Sequence, residues 1–237
     1  MDTKILWQRI LIGLLAISWV SLSHAAESGE GELCSPFMDG RVEPSLIASM
    51  LDAAEDGNLY RIDDDSSRVG FCVTSMFNEV KGDFHEVQGG LVLTPTIEAS
   101  ADGQAMLVIN TASLDTKGDM IEALIKGQRF FDVEKYPEIL FVSRGFEWTG
   151  QDTANIIGDL TVHGVTKPIV FAVTLSPVKE TAGSTAIESI SGSKVNRLLV
   201  KATTTIHRSQ FGMDSLSKLV SDSVRLCMSV EVVRYSA

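Results

Sequence analysis

From Leu59 onward the apolar residues of this chain recur at every second position, and that period constrains the fold more than any other feature. Val69, Phe71 and Val73 alternate with Gly70, Cys72 and Thr74, and Leu91 and Leu93 follow Gly89-Gly90. Leu107 and Ile109 flank Val108, while Ile139, Phe141 and Ser143 alternate with Leu140 and Val142. The same step runs through Leu160 and Val162, Ile169 to Leu175, Val200 to Ile206, and Val224 to Val230. A strand sends successive side chains to opposite faces, so a period of two marks a surface with one dry face. About eight such strands, joined by turn-rich stretches such as Lys81-Gly82-Asp83 and His163-Gly164-Val165-Thr166, predict an all-β sandwich or closed barrel.

Two stretches keep a helical period instead. Leu46, Ile47, Met50, Leu51 and Ala54 recur at helical spacing and Gly57 ends the pattern. That predicts a short amphipathic helix docked on the main domain, within an N-terminal extension of residues 26–58. An accessory helix is predicted later: Asp115 or Asp119 can cap it, Ile121, Leu124 and Ile125 form its stripe, and Gly127 stops it. Residues 177–197 hold Ser, Thr, Gly and Pro without periodicity and predict a mobile loop. The main domain thus spans residues 59–237.

Lys4 and Arg9 accompany an apolar run from Ile10 to Val20, and Ser23-His24-Ala25 offers small residues at a cleavage position. This is the layout of a cleavable secretory signal over residues 1–25, because a spanning helix needs roughly 20 apolar residues. It predicts an exported, periplasmic protein with no stable membrane insertion after cleavage. Losing Lys4, Arg9 and Asp2 makes the body one unit more negative than the −11 of the whole chain. Without a basic stripe, such a body repels nucleic acid and anionic lipid surfaces. Export permits a disulfide, and Cys34, Cys72 and Cys227 remain. An odd count leaves one thiol free or paired between two copies, as in a homodimer. Cys72 and Cys227 fall opposite the core phase of the first and last strands, which are neighbours in a closed barrel. A Cys72–Cys227 bridge is therefore allowed, and Cys34 bonded to either of them is the alternative.

The inward face would carry Phe71, Val73 and Phe84 early, then Leu91, Leu93 and Ile109. It continues with Phe141, Leu160 and Val162, and ends with Phe171, Val173 and Leu226. An eight-stranded barrel either fills with such side chains or leaves room for one small ligand, and alternation alone fits both. A lined cavity would take up hydrocarbon, at about 0.8 kcal/mol per buried methylene, and reject charge. No Gly-x-Ser-x-Gly, His-Glu-x-x-His, Gly-rich phosphate loop or Cys-x-x-Cys occurs. Asp63-Asp64-Asp65 lacks the alternation, Gly and distal Glu of a calcium loop and reads as a solvated turn. The expectation is a protein with no catalytic residue, no metal ligand and no cofactor.

Five segments in register resemble the YceI-like family. Tyr60-Arg61-Ile62-Asp63 through Ser67-Arg68-Val69-Gly70-Phe71 resembles its opening strand. Val80-Lys81-Gly82-Asp83-Phe84 and Gly89-Gly90-Leu91 resemble its second turn and third strand. The most distinctive block is Phe130-Phe131-Asp132-Val133-Glu134-Lys135-Tyr136-Pro137-Glu138-Ile139-Leu140-Phe141. Gly158-Asp159-Leu160-Thr161-Val162-His163-Gly164-Val165-Thr166-Lys167-Pro168 resembles its hairpin, and His207-Arg208-Ser209-Gln210-Phe211-Gly212-Met213 its final arginine and Phe-Gly-Met element. The resemblance covers residues 59–235.

It implies an eight-stranded antiparallel lipocalin-like β-barrel with an accessory helix. It further implies a polyisoprenoid-binding periplasmic carrier, whose isoprenoid lipid (a polyprenyl phosphate or the tail of a quinone) threads along the barrel. Phe130, Phe211 and Met213 then join the ligand-binding set, and Phe130-Phe131 with Tyr136-Pro137 gate or plug the barrel end. Arg208 would meet an anionic head group through its planar fork, or else pair with a carboxylate. Lys167 and the His163–Thr166 turn would cradle a phosphate, or that turn is a plain hairpin with Gly at positive φ. The extension 26–58, the loop 177–197 and the cysteines at 72 and 227 depart from the family pattern. Two competing readings stay open. One is an enzyme acting on lipid in the barrel with His163 or Arg208 assisting; the other is an adaptor with a filled barrel and a partner-binding N-terminal helix.

Overall fold

The alternating segments become strands, and the strands close on themselves. The computed structural model describes residues 37–38, 41–42, 44–93, 103–178 and 196–235, all within one unit, Ser35–Ala237. A two-residue hairpin, β1 (Phe37–Met38) and β2 (Arg41–Val42), leads into helix α1 (Pro44–Glu55). Then come β3 (Leu59–Ser75), β4 (Glu79–Phe84), β5 (Val87–Val92), β6 (Gln104–Asn110) and β7 (Leu114–Thr116). Helix α2 (Asp119–Lys126) precedes β8 (Glu138–Trp148), β9 (Thr153–Val162), β10 (Val165–Pro177), β11 (Arg197–His207) and β12 (Val220–Arg234). Eight antiparallel strands make the closed barrel, in the ring order β3, β5, β6, β8, β9, β10, β11, β12 and back to β3. At the closing seam Val224 faces Val73, Leu226 faces Phe71 and Met228 faces Val69. Matched phases put all six side chains inside, which pins the register, because a one-residue slip would turn them out to water.

Three register shifts adjust the ring, one of them between Val220 and Val224 at the seam. Ser229 pairs with Arg68 and Glu231 with Asp63, so Asp64 to Ser67 form an excursion in β3. Ser67 Oγ replaces the missing ladder bonds: it donates to the Asp63 carbonyl at 2.5 Å and accepts from the Glu231 N–H at 3.2 Å. The acidic run Asp63–Asp65, expected in a solvated turn, thus lies at a strand bulge. In β8 the register skips between Ser143 and Gly145, which leaves Arg144 unpaired in the ladder. Its Nε donates to Asp159 Oδ2 at 2.7 Å, and that carboxylate is 1% exposed.

Lys81-Gly82-Asp83 is not a turn. It lies within β4, which pairs with β3 and β7 as a flap beside the barrel, and the turn falls at Met76–Asn78. Gly82 is there for space, since a Cβ would meet the Phe71 ring at 2.6 Å and Leu114 at 2.8 Å. Helix α1 lies against the outside of the barrel. Leu46 and Val42 cover Leu140 and Val142, and Ser49 Oγ donates to Gln104 Oε1 at 2.9 Å. Met50 and Ala54 are buried, but Ile47 and Leu51 of the expected stripe are exposed. Helix α2 is capped by neither Asp115 nor Asp119: Gly118 occupies the N-cap at φ 99°, and Asp119 stands in the first turn. Gly127 ends it as expected. The expected signal (1–25), Cys34 and most of the 177–197 loop lie outside the described residues. Among the described residues no helix is long and apolar enough to cross a membrane.

Candidate functional site

The barrel is hollow. A cavity of about 410 Å³ runs inward from one end. Of the residues expected at a ligand, Phe71, Val73, Phe84, Ile109, Phe141 and Leu160 line it, as do Val162, Phe171, Phe130, Arg208 and Met213. Leu226, from the inward face, lines it too. Leu91 and Val173 face a second cavity of about 60 Å³ deeper in the barrel. Leu93 and Phe211 line neither. Leu93 packs partly buried against the core, and Phe211 is 1% exposed, with its carbonyl 3.3 Å from His163 Nδ1.

Four side chains, Leu107, Phe141, Phe171 and Met228, face both cavities and form the floor of the larger one. Phe141 and Phe171 meet edge to face, with centroids 5.1 Å apart and ring planes at 83°. The opposite end is the mouth, where Phe77, Leu124 and Leu219 line the cavity and are 87%, 39% and 42% exposed. The Met76 N–H donates to the Leu219 carbonyl at 2.9 Å and ties the β3–β4 tip to the 213–220 loop. Sequence reasoning missed Phe77, Leu216 and Leu219 altogether. The α2 stripe of Ile121, Leu124 and Ile125 was visible as a pattern, but the surface it covers, the cavity wall, was not.

The aromatic block forms wall rather than stopper. Phe131 lies 5.9 Å from Phe71 and 5.6 Å from Phe84, centroid to centroid, and lines the cavity beside Phe130. Tyr136 meets His163 at a tilt of 59°, centroids 4.5 Å apart, outside the cavity lining. His163 (φ 52°) and Gly164 (φ 72°) make the hairpin turn between β9 and β10, and Lys167 is exposed on β10. The turn has the Gly at positive φ that a hairpin predicts.

Arg208 corrects one expectation placed on it, the pairing with a carboxylate. It is 4% exposed, and its guanidinium bonds backbone carbonyls rather than a carboxylate. Nε donates to the Ser221 carbonyl at 2.9 Å, Nη1 to those of Met213 and Ser215 (2.7 Å for the latter), and Nη2 to Val220 at 3.0 Å. The side chain also lies 5.8 Å from the Phe130 ring centroid. Four of its five N–H groups hold the loop that forms one lip of the mouth. With Ser75 and Asn78, which bond each other at the hairpin tip, Arg208 completes the polar side chains of the lining among the described residues.

The titratable groups sit elsewhere. His85 lies 3.6 Å from Asp115 and His207 3.2 Å from Asp222. Asp222 accepts from the Ser209 N–H at 2.8 Å and from Ser209 Oγ at 3.0 Å, and the backbone bond above all holds its carboxyl below the usual range. The ligand oxygens of Asp63, Asp64 and Asp65 lie within 4.8 Å of one another, with Asp63 paired to Arg197 at 3.3 Å. Cys72 and Cys227 are free thiols, so the expected bridge between them is not formed. Cys72 pairs with Arg225, and Cys227 with Gly70. That sets the cysteines one diagonal step apart, about 7–8 Å between Cα atoms, beyond the span of a disulfide. Burial, and next the charge of Glu79, push the Cys72 thiol above its ordinary pKa.

A closed antiparallel barrel with an apolar chamber open at one end belongs to the lipocalin-like class of ligand-binding barrels. More particularly, the chain belongs to the YceI-like family, whose domain model matches residues 60–232. A UPF0312 protein of Pseudomonas savastanoi is 48% identical over 68 residues, 29% of this chain and 35% of that protein. One from Pseudomonas putida is 36% identical over 127 residues, covering 53% of this chain and 60% of that protein. The matches thus span between about a third and three fifths of those relatives. Among solved structures, Burkholderia cenocepacia BcnA superposes with a TM-score of 0.60 at 22% identity, over 72% of this chain and 98% of that one. A polyisoprenoid binding domain from Saccharophagus degradans, implicated in plant cell wall breakdown, gives 0.54 at 15% identity, over 74% and 98%. The Campylobacter jejuni YceI protein gives 0.52 at 22%, over 63% and 82%. At these identities the structural likeness speaks for the fold.

Proposed function

We propose that this protein is a non-catalytic carrier that holds the apolar tail of an isoprenoid lipid inside its barrel, with the polar head at the mouth. One observation carries the reading: the chamber is lined by hydrocarbon and aromatic rings from mouth to floor, with Ser75, Asn78 and Arg208 as its polar side chains and most of Arg208's donors already bonded to backbone. Such a lining desolvates methylenes at a gain and ions at a loss. The described histidines lie outside the lining, which removes His163 as a cavity base and disfavours a lipid-modifying enzyme. A hollow barrel likewise disfavours a filled-barrel adaptor. The polyisoprenoid binding described for the Saccharophagus degradans domain agrees with the reading. The N-terminal pattern supports export and work in the periplasm.

The test is native mass spectrometry of protein purified gently from its own cells, followed by extraction of whatever travels with it. A co-purifying prenyl lipid that returns unaltered after incubation supports the carrier. An apo mass with no uptake of added prenyl alcohol or quinone overturns it, and a chemically changed lipid favours the enzyme. Export is tested on the same preparation: recovery in the periplasmic fraction with an N-terminus at Ala26 is expected, and an intact Met1 in the cytosol refutes it.

A further inference from the structure

The floor of the chamber carries an inference about which lipids fit, resting on the carrier reading above. Phe141 comes from β8 and Phe171 from β10, and both are buried. Their edge-to-face contact at 5.1 Å stands between a 410 Å³ chamber and a 60 Å³ one. An apolar cavity of 150 Å³ holds one benzene, about 25 Å³ per carbon. On that scale the larger chamber holds about sixteen carbons, three isoprene units. The deep chamber is worth about two carbons more, less than half a unit. The ring pair is wedged between neighbours: Phe141 also lies against Gly158, where a Cβ would approach its ring to 2.7 Å. Close packing of this kind resists rotation of either ring.

We propose that the Phe141–Phe171 pair is a length-selecting partition, so that the barrel buries about three isoprene units and leaves any longer chain outside the mouth. A buried unit brings five carbons out of water, and units beyond the third stay wet or lie on the mouth residues Phe77 and Leu219. Affinity therefore climbs with chain length up to the partition's limit and then flattens.

The experiment uses the full mature chain and displacement of a bound fluorescent naphthalene dye by prenyl alcohols of ten, fifteen, twenty and twenty-five carbons. For the wild type, the step from ten to fifteen carbons is expected to tighten binding roughly tenfold or more, and later steps less than about twofold. Phe141→Ala removes a benzene-sized volume, about 150 Å³, and joins the two chambers into about 620 Å³, room for about five units. In that variant the gain should continue to twenty-five carbons. Phe171→Leu is the gentler change should the alanine variant not fold; it frees about three carbons of space and should extend the gain to twenty carbons only. Wild-type affinity that keeps rising by the same factor through twenty-five carbons overturns the partition, as does an unshifted plateau in a folded variant. No binding of any prenyl alcohol to any variant instead overturns the carrier reading and the length claim with it.

Discussion

Replacing Arg208 separates the clamp on the mouth loop that its hydrogen bonds describe from the head-group receptor that its sequence context suggested. In Arg208→Met the aliphatic volume is largely kept, while four hydrogen bonds from a charged donor to the carbonyls of Met213, Ser215, Val220 and Ser221 disappear. Bonds of that kind contribute about 1.5–3 kcal/mol each when removed singly, and water reaching the loop recovers part of the sum. Because Met213 is 5% exposed, its carbonyl has little water to turn to. A loss of about 3–5 kcal/mol is the reasonable total, and a domain of this size drops about 2–4 °C per kcal/mol. Unfolding of ligand-free protein by urea at neutral pH, followed by circular dichroism, should show that loss, with a melting temperature lower by roughly 6–20 °C. Arg208→Lys, with one compact ammonium in place of the fork, should fall between. A head-group receptor would behave differently: ligand-free stability would hold and only affinity would suffer. If Arg208→Met without ligand stays within about 1 kcal/mol of wild type at unchanged denaturant slope, the clamp is wrong.

Three further outcomes are expected. Arg144→Ala should cost about 3–5 kcal/mol by stranding the Asp159 carboxylate, 1% exposed, whereas Asp159→Asn should cost less, since the half-exposed Arg144 can turn to water; equal losses in urea titrations would contradict this. Unreduced, unfolded protein should take up alkylating reagent at both Cys72 and Cys227; in the folded state Cys72 should react more slowly than a model thiol at pH 8, because its raised pKa lowers the thiolate fraction, and an intact mass showing a bridge would refute the assignment. Asp222 has a folded-state pKa below its ordinary 3.8, so its contribution is present above that pH and lost as the solution is acidified through the lower folded value. The stability gap between wild type and Asp222→Asn should therefore narrow as the pH falls below 3.8, and a gap that does not narrow on acidification would count against the bond to Ser209.

Much of the fold could be read in advance. The eight alternating segments are the eight barrel strands, and most of the inward set faces a cavity, because a period of two assigns sides without reference to any neighbour. Errors arose where local chemistry served a distant contact. Lys81-Gly82-Asp83 looks like a turn, yet Gly82 is small to admit the Phe71 ring. Asp63–Asp65 looks like a loop, yet a serine four residues beyond Asp63 stitches the bulge into the sheet. Cys72 and Cys227 sit on neighbouring strands as expected, but a diagonal offset defeats the bridge, and register is a property of two strands together.

Which residues turn inward, that the interior is oily, and that the chain has the makings of a barrel all followed from the order of the amino acids. Whether that interior is solid or hollow did not follow. Free volume is the difference between the space enclosed by eight strands and the side chains that eight strands contribute, and no single strand carries that information. The same holds for Arg208, whose donors are used by carbonyls five to thirteen residues along the chain. It holds too for the Phe141–Phe171 floor, built from strands that are not neighbours in the sheet. Only closure brought those groups together, and closure is decided by tertiary packing.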